Sequence, residues 1–270
     1  MENQDMFFST MNSDLFYLLR YALIAIITAE KRSLKMADNA NGAVKKPSYL
    51  RTITRVYIVA FAMLVVLFVS AGRLSYWQGW VVGGIFIAVI IGFSFVFADK
   101  KDVIFERTHP GPGTKWWDKI FYAFYIPVSM CVFIVSAIDA GRFHWSPSLP
   151  VSVYAISVLV FIFSYIVILW CMWTNKFFSS TVRIQTDRGH QVIQDGPYRF
   201  VRHPGYLAAI FWFVSVSLTL GSVYGLIPVA VVIVLFVIRT YLEDITLQKE
   251  LPGYRDYAKK VSFRLIPYIW

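Results

Sequence analysis

Long apolar runs alternate with short polar, mostly basic breaks along most of this chain. The runs fall near 55–72, 79–98, 119–139, 151–174, 205–220 and 223–242. Most approach the roughly 20 residues that a helix needs to cross the hydrocarbon core of a bilayer. The breaks are distinct: Gly72-Arg73 ends the first run, Asp99-Lys100-Lys101 the second, and Trp116-Trp117 and Trp145 flank the third as an interfacial aromatic belt would. Only "GSVYG" (221–225) separates the last two, which predicts a tight helical hairpin. No charged residue is expected in the middle of a span, which speaks against a transport path. An earlier run, "LFYLLRYALIAIIT" (15–28), is short and contains Arg20, so it reads as an interfacial or poorly ordered helix. The polar "AEKRSLKMADNANGAVKK" after it reads as a flexible linker. No cleavable leader is expected, because the first 35 residues lack the ordered basic, apolar and small-residue pattern.

Composition supports the pattern. Of 270 residues, 57% are hydrophobic and only 16% charged, with a mean hydropathy of +0.57. A soluble domain carries about a quarter charged residues. The fold class is therefore an all-α polytopic membrane protein of about six transmembrane helices. Its parts are an N-terminal tail (1–54), four spans (55–174) and a final region (175–270) holding the hairpin and a loop.

The net charge of +10 raises the question of nucleic acid, but the basic residues stand between the apolar runs. Eight lie in the tail through Arg55, five in 99–119, five in 175–204 and five after Glu243, against only Arg73 and Arg142 in the opposite loops. This is a topogenic charge pattern, suited also to anionic headgroups, and it places both termini and both long loops in the cytoplasm. Membrane lipids are the expected partners, and no nucleic acid is. The two cysteines, Cys131 and Cys171, both sit in apolar runs and suggest no disulfide framework.

The candidate chemistry gathers beside the hairpin. The loop "NKFFSSTVRIQTDRGHQVIQDGPYRFVRHP" (175–204) has short extended-looking pieces around the turn "TDRG". Pro204 fits the first turn of the next helix, whose unpaired N–H groups would face the loop. At the other foot, "RTYLEDITLQKE" returns Glu243 and Asp244 to the same membrane face. A basic foot and an acidic foot suit a ligand with separated charges. Glu243 and Asp244 would hold an ammonium; Arg202, His203 and helix N–H groups would hold a carboxylate. Alone, these signals have plain alternatives: basic residues beside a span as orientation signals, and Glu243-Asp244 as a solvated helix end.

Together, "GPYRFVRHPGY", the hairpin, Glu243-Asp244 and the tail from Tyr254 and Tyr257 through "KKV" to "LIP" resemble the isoprenylcysteine carboxyl methyltransferase family, to which phospholipid N-methyltransferases are related. The resemblance covers roughly 175–270. It implies an S-adenosyl-L-methionine pocket with cofactor contacts from Gln185, His190, Val192 and Tyr198. It implies further contacts from His203, Pro204, Tyr206 and Glu243, with Asp244 beside it. Arg202 and Arg264 are assigned to the cofactor carboxylate, the substrate or phospholipid headgroups. With His203 and Glu243 they form the candidate catalytic set. The implied partner is a lipophilic small-molecule or lipidated-protein substrate. Two departures from the family pattern are Ala208, where glycine is frequent, and Asp244 in place of a second glutamate.

Other chemistries fit less well. His109, His144, His190 and His203 are too dispersed for a metal box, so no metal is expected. No glycine-rich dinucleotide fingerprint or nucleophile elbow is present. The NADPH-dependent sterol and steroid reductases share a similar C-terminal layout, yet "PGYLAA" lacks their Asn and Glu. They remain the alternative enzyme reading, and a non-catalytic lipid-binding protein the alternative outside enzymes.

Overall fold

The computed structural model describes residues 49–99, 103–104, 107 and 112–270. The expectations for the 15–28 run, the linker and His109 lie outside the described residues. Within them the chain is helical. Helix α1 spans Tyr49–Ala71, α2 Trp77–Val96, α3 Trp116–Ser136, α4 Val151–Thr174, α5 Pro204–Thr219, α6 Leu226–Glu250 and α7 Tyr254–Lys260. Five of these are long and apolar enough to cross a membrane, α3 continuing there through a π-helical turn to Phe143. In lipid the backbone must satisfy its own polar groups, which leaves helices as the form these runs can take.

The sixth apolar run differs from the rest. Helix α5 has 16 residues, about 24 Å at 1.5 Å per residue, against a hydrocarbon core of roughly 30 Å. Its partner α6 compensates. The last run was expected to end at 242, but the helix continues through the polar "EDITLQKE" to Glu250. The extension stays helical because Asp244 and Thr246 turn inward while Lys249 and Glu250 face out.

Helix α4 packs most extensively along α5, α3 lies against α6, and α1 packs on α2 and on the π-helical turn Ala137–Phe143. Trp212 of α5 sits at the centre of an aromatic cluster, its ring within 6.2 Å of those of Phe86, Phe133, Phe161 and Tyr165. The outward faces carry Phe61, Phe95 and Phe163, each more than 60% exposed. So much apolar surface on several helices is stable only against lipid.

The two ends of the bundle are built differently. At one end, Asp139 is fully buried and accepts from Ser146 N (2.7 Å), Ser146 Oγ (2.5 Å) and Ser222 Oγ (2.5 Å). This ties the α3–α4 connection to the hairpin turn. Arg142 donates to the Val69 carbonyl at the same end. The other end carries the irregular chain 175–203 and the segment after α6, joined where Arg202 N and His203 N donate to the carbonyls of Phe263 and Arg264, both at 2.9 Å.

No charged residue was expected in the middle of a span, yet one helix carries a buried charge near the pocket. Arg239 lies within α6, only 4% exposed, with its NH2 group 3.1 Å from Oδ1 of fully buried Asp118 on the first turn of α3. The apolar residues around Arg239 disguise it in the sequence, and its counter-charge lies more than a hundred residues away.

Candidate functional site

The connection from α4 to α5 contains no strand among the described residues. It runs as extended backbone with 3₁₀ turns at Thr186–Arg188 and Gly196–Arg199. Local bonds shape it: Phe177 N and Phe178 N donate to Asn175, and Gln185 Nε2 donates to the Phe177 carbonyl at 2.7 Å. Gly196 takes a positive φ of 58° where a Cβ would press on Thr174 and Trp170. The chain then enters α5 with Pro204 in its first turn, as expected. Gly205 lets that turn approach the Phe178 ring, which an added Cβ would meet at 3.1 Å.

This connection, the start of α5, the end of α6 and α7 enclose a pocket with about 840 Å³ of empty space, its open mouth included. Gln185, His190, Val192, Tyr198, Arg202, His203, Pro204, Tyr206 and Glu243 all line it. Asp244 and Arg264 are not on its wall. The carboxylate of Asp244 is fully buried, so it is not a solvated helix end. Its oxygens accept from Arg202 Nε (2.8 Å) and NH2 (3.1 Å), Arg264 Nε (2.9 Å), Tyr254 OH (3.1 Å) and Gln248 Nε2 (2.8 Å). His203 Nε2 stands 3.6 Å away. Asp244 therefore ties α6, the start of α5 and the C-terminal segment together beneath the pocket.

That geometry changes what Arg202 can do. Besides Asp244, it donates through NH1 to the carbonyls of Val261 (2.8 Å) and Ser262 (3.0 Å), leaving little of its fork for a ligand. Arg264 is bound to Asp244 and stacks on Trp270 with 5.2 Å from its guanidinium carbon to the ring centroid. Arg202 braces the site at its wall and Arg264 from behind it.

Glu243 is placed otherwise. Half-buried on the pocket wall, it accepts a hydrogen bond from Tyr206 OH. Tyr206 stacks parallel to His203, with an interplanar angle of 3° and centroids 5.7 Å apart. An acidic group thus faces the cavity beside the start of α5, whose helix dipole favours negative charge there.

His190 is half-buried, its Nδ1 accepting from Gln185 N at 3.2 Å and its ring 4.6 Å from that of Phe177. Burial, reinforced by nearby Arg183 and Arg188, lowers its pKa to about 4. It is therefore a neutral ring at neutral pH. Burial raises the phenols of Tyr198, Tyr254 and Tyr257 well above the ordinary tyrosine range, keeping all three as hydrogen-bonding, uncharged walls.

The sequence reading missed Phe177, Phe178 and Arg183 on the loop side and Leu247 and Leu251 on the other; it noted Tyr254 and Tyr257 in the tail but gave them no place on the pocket wall. The apolar positions among them looked like any membrane-facing residue. Arg183 is one of five basic residues in its loop, and nothing in the sequence distinguishes it from the others. Its side chain is 2% exposed and pairs with Asp187 at 2.8 Å. Among the described residues, no group of three or more His, Cys, Asp or Glu side chains gathers as a metal site.

Residues 156–249 match the family model described as Isoprenylcysteine carboxyl methyltransferase (ICMT) family. Two curated relatives, each named "Probable protein-S-isoprenylcysteine O-methyltransferase", come from Oryza sativa subsp. indica and subsp. japonica. Each is 28% identical over 97 residues, covering 35% of this chain and 50% of the relative. The chain spans about half the length of the curated relatives it matches. The matched region holds most of α4, the pocket-forming connection, α5 and nearly all of α6. The resemblance to the isoprenylcysteine carboxyl methyltransferase family holds over that region.

Proposed function

We propose that this protein is a membrane methyltransferase that takes its methyl group from S-adenosylmethionine and passes it to a lipophilic acceptor. The favoured acceptor group is the carboxylate of a prenylcysteine-like substrate. One observation carries the reading. A pocket built mostly from the region that matches the family sets the Glu243 carboxylate beside the N-terminus of α5.

The residues present fit such a donor. Glu243 suits its ammonium, the start of α5 and His203 suit its carboxylate, and the rings of Phe177, Tyr198 and Tyr254 supply an aromatic enclosure. Bound there, S-adenosylmethionine supplies an already activated methyl group. An ionised acceptor carboxylate then needs no general base, so the chain's task is alignment and exclusion of water. Alignment of reacting groups is worth roughly 7–11 kcal/mol. Asp244 and Arg202 hold the end of α6 against the start of α5. They thereby fix Glu243 and His203 on the cavity wall, with Tyr206 between them.

The test is calorimetric binding of S-adenosylmethionine and, separately, NADPH to the purified full chain in detergent, followed by methyl transfer to a farnesylated cysteine. Micromolar S-adenosylmethionine binding that is lost in Glu243→Gln, together with a base-labile ester product, is the expected result. Binding of NADPH alone would move the protein to the reductases. Binding of neither by folded protein would overturn the enzymatic reading.

A further inference from the structure

The pocket wall that faces α3 is irregular backbone at the foot of a short membrane helix. In such a place unpaired N–H and C=O groups are costly. Three side chains from two spans supply the partners. Arg239 NH2 donates to the Ser180 carbonyl at 2.6 Å, and Tyr122 OH donates to the same carbonyl. Asp118 Oδ2 accepts from Val182 N at 2.8 Å. Lys115 N, one residue before α3, donates to the Val182 carbonyl at 3.1 Å. Ser179, Thr181, Val182 and Arg183 in this stretch all line the pocket.

Arg239 also reaches the opposite wall. Its guanidinium carbon lies 5.3 Å from the centroid of the Tyr206 ring, whose hydroxyl binds Glu243 one turn further along α6. Residues four apart share a helix face, so Arg239 and Glu243 hold the ring and the hydroxyl of one tyrosine.

Adhesion between α3 and α6 alone does not call for this arrangement. Phe121 and Phe236 already pack across that interface with ring centroids 5.8 Å apart, joined by Tyr125 and Phe213. A buried ion pair is often no more stabilising than apolar residues of the same volume. What apolar residues cannot do is bind the Ser180 carbonyl and the Val182 amide.

We infer that Arg239 and Asp118 form a positioning clamp. They hold the 180–183 wall of the pocket against the bundle and, through Tyr206, set the place of Glu243. The clamp's consequence for donor binding rests on the function proposed above; its hold on the wall does not.

The test is the paired variant Asp118→Asn/Arg239→Gln, which removes both charges and leaves neither buried ion uncompensated. Arg239→Lys, which keeps the charge but loses the fork, accompanies it. Hydrogen exchange of the full chain in detergent reads the wall. S-adenosylmethionine binding and steady-state kinetics read the site. In the paired variant, amides 179–185 are expected to exchange faster while those of α4 and α5 keep wild-type protection. The donor Kd and KM should rise about tenfold or more, a loss of about 1.4 kcal/mol, with a smaller change in kcat. Arg239→Lys should fall between. Unchanged exchange at 179–185 would overturn the clamp whatever the ligand. Faster exchange with wild-type donor affinity would overturn its positioning role. Faster exchange in a protein whose wild type binds no S-adenosylmethionine would overturn the proposed function and support the clamp.

Discussion

Asp244 shows how one side chain can look like a ligand group and serve as a brace. Its two oxygens receive five donors from four partner residues on α6, α7, the start of α5 and the C-terminal segment. Removing a buried counter-charge leaves Arg202 unpaired, which typically costs about 3–5 kcal/mol. Asp244→Ala should therefore unfold at markedly lower temperature in detergent, whereas Glu243→Gln, on the open pocket wall, should keep most of its stability and lose ligand. Thermal unfolding of the two variants side by side checks the division of roles. His190 supplies a pH signature. Its folded pKa of about 4 lies below the roughly 6.5 of an unfolded histidine. The unfolded chain thus binds more protons, and stability falls as pH drops from about 6.5 toward about 4. Asp187, held low by its bond from Arg183, acts only further down, below the ordinary aspartate range. His190→Gln should flatten the slope of unfolding temperature between pH 7 and pH 5; an unchanged slope would assign it to other groups.

At the scale of elements, most of what the apolar runs foretold is present, and the exceptions share a cause. Helix α4 begins and ends where the pattern placed it, at 151 and 174, because hydropathy alone decides a span surrounded by lipid and apolar neighbours. The end of α6 was misplaced by eight residues because "EDITLQKE" is polar in composition. Only the fold reveals that its polar face is met by Arg202, Tyr254 and Arg264. His190, Tyr198, His203, Tyr206 and Glu243 on the pocket wall were legible from the loop and hairpin motifs, while Phe177, Phe178, Arg183 and the Asp118–Arg239 pair were not. Phenylalanine is common throughout the chain, and a counter-charge distant in sequence leaves no local mark. The hairpin turn gives a test at this scale. A Cβ on Gly225 would lie 2.1 Å from Ser136 Oγ and 2.4 Å from Ser217 Oγ, both on buried serines. Gly225→Ala should force α3, α5 and α6 apart at that end and cost about 1–3 kcal/mol, the usual penalty for overpacking a tight site. A thermal midpoint equal to wild type would show that the serines can move aside.

For the whole molecule, charge and structure divide the bundle in the same way. The described end holding 112–115, the pocket and the C-terminal segment carries most of the loop cations, and Lys115 pairs with Glu250 across it at 2.7 Å. The opposite end has Arg73 and Arg142 and a neutral hydroxyl network around Asp139. The positive-inside rule predicts that the pocket faces the cytoplasm, the side from which the proposed methyl donor would arrive, while the short α5 would keep the pocket within reach of the proposed lipid-borne acceptor. This orientation is measurable with single cysteines placed in a chain whose Cys131 and Cys171 are replaced by serine. Leu74, 70% exposed in the α1–α2 connection, and Tyr268, 92% exposed near the C-terminus, mark opposite ends. With the chain expressed in the plasma membrane of a bacterial host, a membrane-impermeant maleimide added to intact cells should label Leu74→Cys and spare Tyr268→Cys. Permeabilisation should expose the second without changing the first. The reverse pattern would place the pocket outside the cytoplasm, away from the proposed donor, and would separate the basic loops of this chain from the usual rule of orientation.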